Sequence, residues 1–297
     1  RWPNYFLPAL DAFRVLGVPV DVLPYAPPLE ESVYPYYPFH LNNQVLERLL
    51  RERTVLVLPN VSGFQQTDSD LIKSFVEQGG VIVAFGPQIP MGRTYERQQL
   101  FGLDEVEGTR THTAVIVKDA LGKRVKAKSR FPSGGLQLPS WSSNGSRVIA
   151  AFEDGSPAVN LNKFGKGMVI SVLSDALTAA ASMPDLLRDV LDHAVSLRGS
   201  ELLVDVVGAT ENTDLALGQA ANGFRVVVIN HNSVAREVVL RPTKIQQGPV
   251  RGWVDLVTKK ELESLTGTHS LKLNVPGKGF RALEFRGAAA DKVSSPN

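Results

Sequence analysis

The sequence predicts an α/β domain on a parallel sheet with a β-rich insertion over residues 1–199, followed by a small antiparallel β-sandwich over residues 200–287. Three observations carry this reading. First, "VLVLPN" and "VIVAF" are continuous β-branched runs separated by an amphipathic helical stretch, the pattern of strands covered on both faces. Second, between Gly92 and Gly167 the rhythm shortens to alternating segments broken by Gly, Ser and Asn. Third, after Gly199 apolar–polar alternation recurs at roughly ten-residue spacing, with Asn222-Gly223 as a hairpin turn signal.

Taken in chain order, Asn4–Leu16 has apolar residues at helical spacing and ends at Gly17. "VPVDVLPY" reads as a short buried strand, and residues 26–40, dense in Pro and Tyr, read as a loop. Asn43 caps a short helix, "QVLERLLRE", which leads to the strand Val55–Leu58. Thr67-Asp68 offers an N-cap to a helix over Ser69–Gln78, and Gly79-Gly80 offers its left-handed stop. "TAVIV", "RVIAAFE" and "PAVNLNKFGKGMVISVLSD" read as the β-rich excursion. Pro184–Leu197 is a helix with Pro in its first turn and Gly199 past its end. "LLVDVVG", "LALGQAANGFRVVVINHN", "AREVVLRP", "RGWVDLVT", "HSLKLNVPG" and "FRALEFRG" are the strands of the sandwich, and residues 288–297 read as a disordered tail.

Composition narrows the function. Of the 297 residues, 43% are hydrophobic, enough for a substantial core. Lys and Arg total 32 against 30 Asp and Glu, a net charge of +2, so neither a nucleic acid nor a membrane surface is an expected partner. The densest positive stretch, "KDALGKRVKAKSR" at Lys118–Arg130, surrounds a Leu121-Gly122 turn signal and reads as an exposed hairpin. Cysteine is absent, which excludes thiol nucleophiles, thiolate metal sites and disulfides. That fits either a reducing cytoplasm or a bacterial exported protein without disulfides. No apolar run reaches the ~18 residues of a membrane-spanning helix. A start at Arg1-Trp2-Pro3 without Met suggests a processed protein or a piece of a longer one.

The order "VLVLPN", "TDSDLIKSFVEQGGVIVAFGP", then "PAVNLNKFGKGMVISVLSD" resembles the class I glutamine-amidotransferase-like domain of bacterial family 42 β-galactosidases. "GFRVVVINHN" and the closing "VPGKGFRALEF" resemble the small C-terminal β-domain of the same enzymes. The resemblance implies a flavodoxin/amidotransferase-like parallel sheet and a homo-oligomeric assembly, since in that family the domain is a trimerisation domain. It also implies catalytic carboxylates on an upstream barrel of roughly 200 or more residues, for which this chain has no room. Active amidotransferases put a Cys on the turn after the strand that corresponds to "VIVAF", and a His-Glu pair after a late strand. Here those places read Phe85-Gly86-Pro87 and Ser174-Asp175-Ala176, so the amidotransferase reaction is absent.

No Gly-x-Ser-x-Gly is present: "VSGF" and "PSGG" do not supply it. The five histidines are scattered without metal-ligand spacing, so no metal and no cofactor are expected. "GKG" at residues 165–167 lacks P-loop spacing and reads as a tight turn with close backbone packing. Arg110 and His112 are pocket candidates, set against the reading of His112 as a strand-edge surface residue. His193, late in its helix, reads as a structural residue whose charged form is favoured there. Asp175 is the best-placed lone carboxylate, at a strand's C-terminal end, set against a helix cap. Tyr34, Tyr36, Tyr37 and Phe39, joined in space by Trp141, are candidates for carbohydrate or interface contact, set against simply covering the sheet. Three functions follow. They are a non-catalytic accessory region of a glycoside hydrolase, a carbohydrate-binding module, and a self-contained hydrolase with an unrecognised site.

Overall fold

The structure, a computed structural model, describes residues 9, 11–13, 16, 47–48, 50–51, 53, 55–59, 66–86, 94–197, 204–207, 213–220, 223–243, 252–265 and 268–286. Contacts divide the chain into two compact units, Arg1–Ala9 with Val22–Ser200 and Leu10–Asp21 with Glu201–Asn297. The first expected helix is helical at residues 9 and 11–13, and Leu16 N–H donates to the Ala12 carbonyl at 3.1 Å. The second is helical at Glu47, Arg48, Leu50 and Arg51. The expected "VPVDVLPY" strand, the aromatic loop and the tail lie outside the described residues.

In the first unit, β1 (Val55–Pro59), helix α1 (Gln66–Glu77) and β2 (Val81–Phe85) make a parallel crossover, with Val55 opposite Val81. α1 starts at Gln66, so Thr67 and Asp68 lie in its first turn and not before it. Ile72, Phe75 and Val76 form its buried stripe. The helix ends as its glycines predict. Gly79 takes φ 110°, its N–H donates to the Val76 carbonyl at 2.9 Å, and Gly80 N–H donates to the Phe75 carbonyl at 2.8 Å.

The sheet is mixed, and the expected parallel sheet with a separate β-rich insertion is corrected accordingly. After α2 (Thr94–Phe101), the excursion supplies β3 (Leu103–Val117), β4 (Arg130–Ser143), β5 (Arg147–Phe152) and β6 (Pro157–Phe164), and β7 (Gly167–Val172) follows. Together they give the order β1-β2-β7-β6-β5-β3-β4, in which only β1, β2 and β7 run parallel. Parallel pairing needs a crossover of a dozen or so residues. Short turns at Gly155 (φ 88°) and Gly165 (φ 56°) instead reverse the chain at once and force antiparallel neighbours. "GKG" is the tight turn between β6 and β7. A Cβ on Gly167 would lie 2.2 Å from the Gly80 carbonyl oxygen and 2.3 Å from that of Val76, so only glycine lets this turn meet the end of α1.

β3 and β4 form a long ribbon with register shifts at Val106/Thr109 and His112/Ala114, and Gly108 (φ 99°) and Gly135 (φ 71°) lie in those stretches. Such bulges bend a ribbon. β5 pairs with β3 only over Val115–Val117, so the rest of β3 parts from β5. The "KDALGKRVKAKSR" loop is more than an exposed hairpin. Helix α3 (Ala176–Ser182) leads into α4 (Pro184–Ser196), whose buried Asp189 accepts from Val125 N–H at 2.9 Å and Arg124 N–H at 3.1 Å. The Arg124 guanidinium adds a bond to Asp189 at 3.2 Å and one to Asp192 at 2.5 Å.

The second unit has two antiparallel sheets. One, in the order β13-β12-β15-β10-β9, comprises β9 (Thr213–Ala220), β10 (Gly223–Asn230), β12 (Gly252–Asp255), β13 (Glu261–Leu262) and β15 (Gly279–Arg286). The other, in the order β14-β11-β8, comprises β8 (Val204–Val207), β11 (Arg236–Pro242) and β14 (Leu271–Val275). β9 and β10 close at Ala220 opposite Gly223, where the Asn-Gly signal predicted the hairpin. Both sheets contribute to one core, in which Trp253 packs against Phe224 and Phe285 at centroid distances of 5.8 and 5.0 Å. The Trp253 ring N–H is satisfied by the His269 carbonyl at 2.8 Å.

Candidate functional site

Where the β3–β4 ribbon parts from β5, a cleft of about 290 Å³ opens in the first unit. Arg110, Trp141, Ser140, Ser142, Ser143 and Ser156 are among its lining residues, with an apolar wall of Val106, Val148 and Pro157. The β5–β6 turn forms its charged edge. There Asp154 accepts from Arg110 at 2.7 Å, from Ser156 N–H at 3.0 Å and from Ser156 Oγ at 2.5 Å. His112 lies behind it, 2% exposed, stacked on Phe152 at 3.9 Å with Nδ1 4.0 Å from Asp154.

Glu153 sits where the β3–β5 ladder ends and replaces the missing strand. Its carboxylate accepts from Thr113 N–H at 2.6 Å, Ala114 N–H at 3.0 Å and Thr113 Oγ1 at 2.9 Å. These bonds, the Thr113 N–H foremost, overcome the opposing effect of burial and lower its pKa to about 2. At Asp154, burial pushes the carboxyl upward. The bonds from Ser156 and Arg110, with the electrostatic effect of His112, outweigh it and lower the pKa to about 2. Both groups are therefore ionised acceptors near neutral pH. A glycosidase-type pair needs one carboxyl held protonated, and these two cannot serve as that acid.

The structure brings Arg110 and Trp141 into the lining of one cleft, and His112, nominated with Arg110, lies behind Asp154. His112 is buried and not a strand-edge surface residue, because its ring stacks on Phe152 behind the turn. Trp141 is 5% exposed, part of a wall and not an open platform. Asp175 is apart from this arrangement. It caps α3 by accepting from Thr178 N–H at 2.9 Å. Tyr34, Tyr36, Tyr37 and Phe39 lie outside the described residues. His193 is corrected too: burial first and the Arg147 charge second lower its pKa, so the neutral form is favoured. At the end of β2, Phe85 is buried and Gly86 N–H donates to the carbonyls of Val172 at 3.1 Å and Ser174 at 2.9 Å. Among the described residues, no group of three or more His, Asp or Glu gathers to hold a metal. Sequence reasoning missed Glu153, Asp154, Ser140 and Ser156. Asp154-Gly155 is a hairpin signal and could have placed the turn, but not the ribbon it faces.

No family model matches the chain, and no curated protein matches it. Solved structures do. A beta-galactosidase from Bacillus circulans sp. alkalophilus is 17% identical at a TM-score of 0.56, over 79% of this chain and 33% of that one. Gan42B, a GH42 beta-galactosidase from G. stearothermophilus, is 17% identical at a TM-score of 0.53, over 80% and 32%. Alpha-L-fucosidase isoenzyme 2 from Paenibacillus thiaminolyticus is 14% identical at a TM-score of 0.53, over 79% and 41%. At these identities the likeness is one of fold. The chain spans about a third of the length of the galactosidases it matches, and it shares the fold of that part of them.

Proposed function

We propose that this chain is the accessory, non-catalytic C-terminal region of a glycoside hydrolase, resembling the amidotransferase-like and small β-domains of family 42 β-galactosidases. Its part is assembly of a homo-oligomer, a trimer as in that family, with catalysis on a barrel outside this chain. The observation that carries the reading is the fold likeness to about a third of each galactosidase. Its companion is the end of β2, where Phe85 is buried and Gly86 is bonded, at the position that the sequence resemblance would match to the nucleophile of active amidotransferases. Sedimentation equilibrium of the chain tests the assembly role, with a mass above the monomer's 32.3 kDa expected. A monomer persisting at concentrations on the order of 100 µM overturns it. Turnover of a chromogenic β-galactoside by the purified chain, expected to match the blank, tests the second half.

A further inference from the structure

Ser140 carries a hydroxyl that the fold itself does not use. It is 3% exposed, belongs to the cleft wall, and its Oγ has no hydrogen-bond partner. A buried hydroxyl without a partner is unfavourable unless something else supplies one. Of the residues with a buried, unpartnered side-chain atom among the described residues, which also include Ser133, Asn160, Ser171 and Thr213, Ser140 is the one that lines the cleft.

We propose that the cleft between the β3–β4 ribbon and the β5–β6 turn binds a small neutral polyhydroxylated molecule, the size of one sugar or cyclitol ring. Its volume, about 290 Å³, lies at the small end of ligand pockets, which span roughly 300–1,000 Å³. Ser140 and Ser142 carry hydroxyls that both donate and accept, as ligand hydroxyls do, while those of Ser143 and Ser156 donate to Ser146 and Asp154 and remain acceptors. Trp141, Val106, Val148 and Pro157 give an apolar wall for the C–H face of a ring. An anion is disfavoured by the ionised Asp154 at the edge, and a cation finds Asp154 already engaged by Arg110 and Ser156. Arg110, with its side chain 55% exposed, keeps guanidinium donors available beyond the one on Asp154. The proposal does not depend on the assembly reading, and either stands if the other fails.

The test is a titration of the isotope-labelled full chain with D-galactose, D-glucose and myo-inositol, followed by amide shifts of β4 and of residues 153–157, with acetate as the anionic control. Saturable shifts are expected for at least one polyol, with a Kd on the order of 1 mM. Ser140→Ala and Arg110→Gln are each expected to weaken that Kd about tenfold, an ordinary loss for one ligand hydrogen bond. Ser140→Ala should meanwhile leave Tm equal or higher, because it deletes an unsatisfied buried group. The proposal is overturned if no polyol saturates by about 50 mM, if both variants bind as the wild type does, or if acetate binds this cleft in preference.

Discussion

The mixed sheet and the sandwich bury polar groups in contrasting ways. In the first unit, Asp189 is 1% exposed and holds the 118–129 loop through two amide N–H groups and a guanidinium. Asn160 and Asn162 lie on β6, where their amides reach the terminal carbonyls of α2: Phe101 at 3.0 Å, Gln99 at 2.8 Å and Leu100 at 2.9 Å. The sandwich core is made of Val, Leu, Phe and Trp side chains, and its polar anchors sit at strand ends. Asn230 there donates to Val234, Val275 and Pro276, and Asp255 accepts from Val257 and Thr258. The sandwich is specified mainly by volume and alternation. The mixed sheet is specified by single polar contacts that join distant segments, and its cleft opens where such contacts replace the strand ladder.

Trp253→Ala attacks the sandwich at its centre. Removing the ring leaves a cavity against Phe224 and Phe285, and a loss of about 3–5 kcal/mol is expected. Denaturant unfolding gives the magnitude, and hydrogen exchange should show lost protection in β10, β12 and β15 while β2 and β7 keep theirs. Equal loss in the mixed sheet would erase the contrast between the two cores.

Asp189→Ala is the matching change in the first unit. It strands the N–H groups of Arg124 and Val125 and leaves the Arg124 guanidinium its bond to Asp192, for an expected cost of about 2–3 kcal/mol. The exchange signature should be local: faster exchange over residues 118–129 with the sandwich unchanged. Stability equal to the wild type would show that the loop is held by its apolar contacts, Val125 among them, and not by this carboxylate.

The smallest effect is the acid response of the cleft edge. Glu153 and Asp154 have pKa values lowered from 4.5 and 3.8 to about 2. Their contribution to stability is complete above the unfolded-state values and is lost as pH falls from about 4.5 toward 2. Carboxyl NMR titration of the folded protein should place both midpoints near 2. Arg110→Gln should raise that of Asp154 while leaving Glu153 in place, because Arg110 bonds only the former. Midpoints at ordinary carboxylate values would show that the turn does not hold these groups as described.

Much of the fold was legible from local sequence because the relevant interactions are local. Gly79-Gly80 stops α1 through bonds within one turn, and Asp175 caps α3 through a neighbour three residues away. In the sandwich, β10 and β14 alternate buried and outward residues as their sequences do, and β9 and β10 pair up to Ala220 opposite Gly223. Strand direction in the first unit was not legible in the same way. β2 and β6 are buried through runs of residues on both faces, and such runs read alike in parallel and antiparallel sheets.

The sequence by itself determined where most strands and helices lie, which turns demand glycine, and that no thiol chemistry is available. Tertiary structure alone decided that β3–β6 extend the same sheet, that His112 is buried behind Asp154, and that Arg110 and Trp141 face one cleft with Ser140. The reason is separation along the chain. Arg110 meets Asp154 across 44 residues and Val125 meets Asp189 across 64. No periodicity encodes such pairings; they arise when bulges at Val106/Thr109 and His112/Ala114 bend the ribbon over the β5–β6 turn.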